Sequence, residues 1–380
     1  MSQARPLQGF NGLRALACLS VIIYHLNQHR SVTALADWNW NLYQFVDMWP
    51  IVVSLFFMLT ALTNSLGFWR SILRDMPIPK VQDFLVNRFF RIAPAYYLTL
   101  GFTFFLTLVL NGYSDGAFLR FLSGITFLSW THPSTFFPVD INGPLWYISY
   151  DMMGVLLVVT IMSILVRVRK VYIPLILITT AWILIALHYW FMNLPFQNIG
   201  WLVGEWFPAY NPFIFGLHFL FGVIVSWILV WQEKNHATHS RWYDILFILT
   251  TLGLFSFLWT IRGAGTFDYT LFKSPHRFPF ATIPIALLLL FAPNTRYIGK
   301  WLDNHLFHII ARLSYSTYLW HAVVIVLMMK LLFGDGHSLL MSEWLILAWG
   351  TFVGSFSLAW LSYTYIEIPI ANWWRLRGEK

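Results

Sequence analysis

Apolar residues along this chain gather in long runs, and shorter polar stretches between the runs carry most of the charges. A helix needs about 20 apolar residues to cross a bilayer. The segment at 117–131 fits either a further span or a short re-entrant piece. The other long runs predict ten transmembrane helices, at residues 10–27, 48–68, 92–111, 144–166, 171–191, 212–232, 243–261, 278–293, 309–333 and 343–366.

Composition supports the same fold class. The chain has 380 residues, of which 58% are hydrophobic and 11% charged, whereas a soluble domain carries about 25% charged residues. We therefore expect an all-α integral membrane protein, a bundle of about ten transmembrane helices that forms a single domain over residues 1–380, with no appended soluble domain. Cys18 is the only cysteine, which excludes an intrachain disulfide.

The distribution of basic residues predicts the topology. With ten spans and both termini cytoplasmic, 18 of the 24 Lys and Arg residues fall on the cytoplasmic side, as the positive-inside rule requires. A span at 117–131 would move the basic cluster at 167–170 to the outside, so this segment is predicted not to cross. The net charge of +8 is thus a topology signal, and we expect no nucleic acid partner.

The first apolar run holds an ionisable pair, Arg14 and His25. A charged residue at membrane depth costs about 2.5–3.5 kcal/mol on insertion scales, so such residues usually line an interior path. At 100° per residue, a spacing of eleven residues leaves both on one helix face, about 16 Å apart along the axis. The pattern predicts a cation near one membrane face and an imidazole near the other.

Six short motifs follow one another along the chain. They are FNGLRALACLSVIIYH from residue 10, SLFFMLTALT at 54–63, RFFR at 88–91, PLWYISYD at 144–151, LSYSTYLWH at 313–321 and YIEIP at 365–369. In this order and spacing the chain resembles acyltransferase family 3, membrane enzymes that acylate bacterial surface polysaccharides and related glycans. The resemblance extends over nearly the whole chain.

The resemblance implies that His25 is a general base, which removes the proton of an acceptor hydroxyl as it attacks a thioester. An imidazole suits this role because its pKa lies near working pH. Asp151 stands where the family usually has Glu, and it is expected to contact the His25 ring and support the imidazolium. The structural alternatives are a helix-end histidine bonded to a neighbour, and an Asp151 that pairs with Tyr147 or Ser149.

The resemblance also implies a donor site formed by Arg14, Arg88 and Arg91, since guanidinium groups bind phosphates in a two-pronged way. Acetyl-CoA (acyl-CoA) is the expected donor substrate, and no bound cofactor is expected. The alternative is that these arginines meet lipid phosphates. Asn11 replaces a frequent Asp of the family, so the partner of Arg14 stays open.

Further residues of the motifs are candidates for the channel or its support. Glu367 is expected to pair with a cytoplasmic-side arginine, and His321 lines the donor channel or forms an interhelical hydrogen bond. No metal-ligand pattern is present, so no metal site is expected. The remaining candidates are Trp146, Ser149 and Tyr318.

These features predict a bacterial inner-membrane O-acyltransferase that moves an acetyl group from cytoplasmic acetyl-CoA to a lipid-linked or secreted glycan. Direct attack and a brief acyl-His25 intermediate both fit, and the acyl group, the acceptor position and the oligomeric state stay open. The outer loops 28–47 and 192–211 are expected to bind the sugar. The alternatives are a transporter (flippase) of a polyprenyl-linked glycan, which has no reason to bind coenzyme A, and a non-catalytic subunit of a polysaccharide synthesis complex.

Overall fold

The structure is a computed structural model, and every named element within its described residues is a helix. Parts of the outer loops predicted to bind sugar, at 31–36, 195–206 and 208–209, lie outside that description. The described residues are 7–30, 37–194, 207, 210–235, 239–262, 278–334 and 339–378.

Fourteen α-helices follow in chain order within these ranges. Short 3-10 turns and one π-helical segment, Tyr363–Glu367, join some of them. The helices are α1 Phe10–Asn27, α2 Asp37–Asp47, α3 Val52–Arg74, α4 Val81–Asn111, α5 Ala117–Ile125, α6 Trp146–Leu165, α7 Ile173–Met192, α8 Pro212–Lys234, α9 Arg241–Thr260, α10 Thr282–Phe291, α11 Ile298–Leu302, α12 His305–Leu332, α13 Met341–Ser362 and α14 Ile368–Gly378.

Eight helices of the described ranges are long and apolar enough to cross a membrane, and each matches one predicted span. The other two predicted spans are helical, but one is not apolar enough and the other is too short to count among these eight. The run at 10–27 forms α1, whose polar residues lower its hydropathy, and the run at 278–293 forms the ten-residue α10. A multi-pass membrane protein is therefore confirmed, while the count of ten remains a prediction.

The segment at 117–131 does not cross, as the charge bias predicts. Its helix α5 has nine residues, about 14 Å at 1.5 Å per residue, against a hydrocarbon core of about 30 Å. Three short 3-10 turns then lead back to α6. The Ser129 hydroxyl donates to Ser149 on α6 over 2.7 Å, and both residues are fully buried. This re-entrant segment (117–145) is therefore anchored to the bundle at Ser129, while one face of α5 stays exposed, including Phe118 and Leu119.

Contacts between helix ends sort them into two faces. At the first face Asp303 accepts from the Gly9 N–H, and Glu233 pairs with Arg70 and Arg74. At the second face Asn27 donates to the Tyr43 carbonyl, and Arg262 donates to Asn41. The alternation of ends agrees with the predicted topology, in which the first face is cytoplasmic.

Helices α3 and α8 form the most extensive helix pair. A Cβ atom on Gly222 of α8 would lie 2.4 Å from the Met58 carbonyl oxygen of α3, so only glycine permits this approach. Helix α1 packs against α3 on one side and α12 on the other. The ionisable residues of α1 therefore lie within the bundle and not toward lipid.

Candidate active site

Two cavities lie inside the bundle, one near each end of α1. The inner cavity, of about 430 Å³, is lined by Arg14, and the outer cavity, of about 390 Å³, is lined by His25. Tyr318 of α12 lines both cavities. Arg14 and His25 therefore lie in separate cavities near opposite ends of α1, and their positions relative to the membrane faces stay a prediction.

The inner cavity is rich in cations. It collects the three arginines of the predicted donor site together with Arg312 of α12, and faces them with two carboxylates, so the formal excess is two positive charges. These ionisable residues are Arg14, Arg88, Arg91, Arg312, Asp151 and Glu367.

Asp151 does not contact His25, so that expectation is wrong. Its Oδ2 accepts from Arg88 Nη2 over 2.7 Å, and its Oδ1 accepts from the Tyr147 hydroxyl over 3.3 Å. The acidic side chain is 6% exposed and its arginine partner 14%. The short re-entrant segment places Asp151 deeper than a simple span count suggests, at the level of the arginines.

Guanidinium groups of the inner cavity remain free to bind an anion. Within the described ranges no carboxylate lies within 4 Å of Arg14 or Arg91, and the Nε of Arg88 is buried without a hydrogen-bond partner. Asn11 donates to Asp303 over 3.2 Å. The same carboxylate accepts from the Gly9 N–H, so Asn11 helps to hold the start of α1 and is not a partner of Arg14. An anion entering this cavity meets guanidinium groups that are not neutralised by the protein.

Glu367 closes the inner cavity from the π-helical segment. Its Oε1 accepts from the Ser316 hydroxyl of α12, and it forms no ion pair with an arginine of the described residues. Glu367 therefore does not contact the expected arginine, although it interacts electrostatically with Arg91 across the same cavity. The hydrogen bond ties the end of the chain to α12.

The outer cavity is largely apolar and aromatic. Trp146 of α6, Tyr24 of α1 and Tyr210 line it, together with His25 and His29. Burial lowers the pKa of His29 below its ordinary value, so its ring is neutral at neutral pH. Tyr210 and His29 belong to the two outer loops that the sequence assigns to sugar binding.

Gln28 orients the ring of His25. The Gln28 Nε2 donates to the Tyr24 hydroxyl over 3.0 Å, which leaves Gln28 Oε1 facing His25 Nδ1 at 3.3 Å. An amide oxygen only accepts, so this network assigns the ring proton to Nδ1. The lone pair of the neutral ring is then on Nε2, the arrangement that a general base needs. The neutral amide of Gln28 thus makes the contact with the His25 ring that the sequence predicts for the Asp151 carboxylate.

Residues of α12 and α6 separate the two cavities. Asn304 caps α12 by accepting from the Phe307 N–H over 3.0 Å, which stabilises the start of the helix. The Tyr318 hydroxyl donates to the Pro144 carbonyl over 2.6 Å, and its ring lies 5.2 Å from the Tyr147 ring. Both tyrosines are buried.

His321 lies beside His25 and not in the inner cavity. The two ring centroids are 5.1 Å apart, and His321 is fully buried. Ser149 is also buried, bonded to the re-entrant segment, and lines neither cavity.

Sequence reasoning missed Arg312 and Gln28. Arg312 lies inside the predicted span 309–333, and an arginine there is the same signal that singled out Arg14. Gln28 lies three residues after His25, the spacing at which helix side chains meet. Both signals were present in the sequence.

The model of acyltransferase family 3, described as an acyltransferase domain, matches residues 7–361. No curated protein and no solved structure matches the chain. The family match extends over nearly all of the helices that form the two cavities, including α1 and α12. The chain therefore belongs to acyltransferase family 3 and is a multi-pass membrane acyltransferase.

Proposed function

We propose that this protein is an inner-membrane O-acyltransferase that moves an acetyl group from cytoplasmic acetyl-CoA to a hydroxyl of a lipid-linked or secreted glycan. The observation that carries this proposal is the pair of cavities that meet at Tyr318. One is cationic and lies at the end of α1 that the charge bias predicts to be cytoplasmic, and the other is aromatic and holds a histidine. A transporter has no need of a base beside the acceptor cavity.

The inner cavity fits the donor. Coenzyme A carries a pyrophosphate and a 3′-phosphate, which guanidinium groups bind through paired N–H donors. Arg91 and Arg312 lie with Arg88 on this cavity, and the Asp151 ion pair fixes the orientation of Arg88. Arg14 lies on the same helix as His25 and lines the inner cavity. We therefore assign it to the pantetheine arm, which carries the thioester.

The outer cavity fits the acceptor. Aromatic rings with a few polar groups are typical of small-molecule sites, and Tyr24, Trp146 and Tyr210 supply such rings here. A sugar hydroxyl near His25 Nε2 loses its proton as its oxygen attacks the thioester carbon. The C–S bond then breaks, the proton passes to the sulfur, and coenzyme A leaves as the thiol.

Inside-out membrane vesicles test this proposal, because they contain the host acceptor. Vesicles from a deletion strain that expresses the chain are given acetyl-CoA labelled with ¹⁴C in the acetyl group. We expect label in the glycan fraction, absent from vesicles of the deletion strain. Coenzyme A should compete for donor binding more strongly than dephospho-coenzyme A, because the latter lacks the 3′-phosphate.

Unlabelled glycan in vesicles that hold abundant, folded protein would contradict acetyl transfer. Equal competition by the two forms of coenzyme A would contradict the role of the arginines in binding the 3′-phosphate.

A further inference from the structure

The second histidine beside His25 has one nitrogen with a partner and one without. His321 Nδ1 lies 2.6 Å from the backbone carbonyl oxygen of Tyr318, three residues earlier on the same helix. A carbonyl oxygen only accepts, so Nδ1 carries the proton. The lone pair of the neutral ring is therefore on Nε2.

His321 Nε2 is buried and has no hydrogen-bond partner among the described residues. Burying an acceptor without a donor is unfavourable, and buried polar groups of native proteins are almost always paired. An unpaired lone pair that persists in a fully buried ring calls for an explanation. A donor that is present only during the reaction provides one.

The neighbours of His321 narrow the choice of donor. The two residues before His321 are contacted from the re-entrant segment, where Asn142 donates to the Leu319 carbonyl, and from α4, where Phe102 meets the ring of Trp320. Neither side chain titrates. Two titratable rings meet His321, Tyr318 of the same helix at 5.4 Å and His25 of α1 at 5.1 Å between centroids. The Tyr318 hydroxyl already donates to the Pro144 carbonyl, which leaves His25 as the candidate donor. One water molecule or a small rotation of either ring would join their nitrogens.

We propose that His321 is a positioning residue that accepts a hydrogen bond from the His25 imidazolium. The inference rests on the proposed function. His25 Nε2 takes the proton of the acceptor hydroxyl while the oxygen bonds to the thioester carbon. The new N–H points first at the acceptor oxygen, and a small rotation of the ring then turns it to donate to His321 Nε2. When the C–S bond breaks, the proton leaves His25 for the sulfur of coenzyme A. His321 gains and loses no proton overall.

Two substitutions separate this role from a structural one. In His321→Asn the amide N–H replaces Nδ1 and keeps the bond to the Tyr318 carbonyl, but nothing replaces Nε2. In His321→Gln the longer side chain brings an amide group, with its accepting oxygen, to the Nε2 position. The proposal expects His321→Gln to retain more activity than His321→Asn, whereas a role in holding Tyr318 expects the reverse order.

The assay is acetyl transfer from labelled acetyl-CoA to endogenous glycan in inside-out vesicles, per amount of folded protein. General-base assistance is worth 10²–10⁴-fold, and a residue that supports the base contributes part of this. We expect His321→Asn to lower kcat by about 10- to 100-fold and to leave the KM for acetyl-CoA within about twofold of wild type, since His321 does not line the inner cavity.

His218→Asn is the matched control. This ring is also fully buried, and its Nδ1 lies 3.0 Å from the Ile214 carbonyl of its own helix, but it lines neither cavity. We expect wild-type kcat per folded protein.

Wild-type kcat in His321→Asn, or parallel changes in kcat and KM, would overturn the inference. Higher activity in His321→Asn than in His321→Gln would also overturn it. Absence of transfer by the wild-type chain itself is a different result, because it contradicts the proposed function and the inference falls with it.

Discussion

At the scale of single residues, one ion pair organises the inner cavity. Asp151 is the carboxylate that balances Arg88 in a site with four arginines. It also accepts from Tyr147, which stands next to Tyr318 at the boundary with the outer cavity. Asp151 therefore connects the arginines of the inner cavity to the wall that separates the two cavities.

Removing Asp151 should destabilise the protein strongly. Asp151→Ala leaves Arg88 buried and unpaired, and breaking a buried pair costs about 3–5 kcal/mol. Asp140→Ala is the control, because Asp140 pairs with Arg120 at a similar distance of 2.8 Å but is 39% exposed. An exposed pair is worth about 0–1 kcal/mol. Unfolding in detergent measures both, and equal losses would contradict the buried role of Asp151.

The sequence predicts the residues of the site better than their contacts. The spacing of Arg14 and His25 predicts two positions at opposite ends of one helix face, because helix geometry is local. The partner of Asp151 could not be predicted in the same way. It depends on how deep the re-entrant segment inserts before α6 begins, and local spacing carries no information on that depth.

At the scale of helices, close packing holds the scaffold around the site. Helix α3 approaches α8 backbone to backbone at Gly222, and α3 also packs against α1 and α6, which carry His25 and Asp151. The apolar runs predict where these helices lie. They do not predict the pairing, since the glycine that permits it is one small residue in an apolar run.

Gly222→Ala should weaken this pairing. The new methyl group would lie 2.4 Å from a backbone oxygen of Met58, and overpacking costs about 1–3 kcal/mol. Gly253→Ala on α9 is the control, because a Cβ there meets nothing within 4 Å. We expect a lower unfolding temperature in detergent for Gly222→Ala only. A Gly253→Ala variant that loses as much would show that helix packing is not the cause.

At the scale of the whole molecule, the two cavities lie near opposite ends of α1, an arrangement that suits the proposed reaction between a cytoplasmic donor and an outer acceptor. The charge bias predicts which end is cytoplasmic, and the contacts between helix ends agree with the alternation. The long outer loops have no periodic pattern, so the sequence predicts their position but not their structure.

Cysteine labelling tests the orientation. Arg169→Cys lies at the predicted cytoplasmic face and Tyr113→Cys at the opposite face, and both side chains are exposed. The native Cys18 is buried, so we expect the maleimide not to label it. In intact spheroplasts a membrane-impermeant maleimide should label position 113 and not position 169. In inside-out vesicles it should label position 169 and not position 113. The reverse pattern would place the arginine cavity outside and contradict a cytoplasmic donor.

The most direct test of the central claim is the O-acetyl content of the host's surface glycans, measured by NMR in a deletion strain. The strain is complemented with the wild-type chain or with His25→Ala, at matched abundance of folded protein. If His25 is the base, the deletion loses an acetyl signal that the wild type restores and His25→Ala does not. Full restoration by His25→Ala would contradict the mechanism, and a deletion with unchanged acetyl signals would contradict acetyl transfer to these glycans.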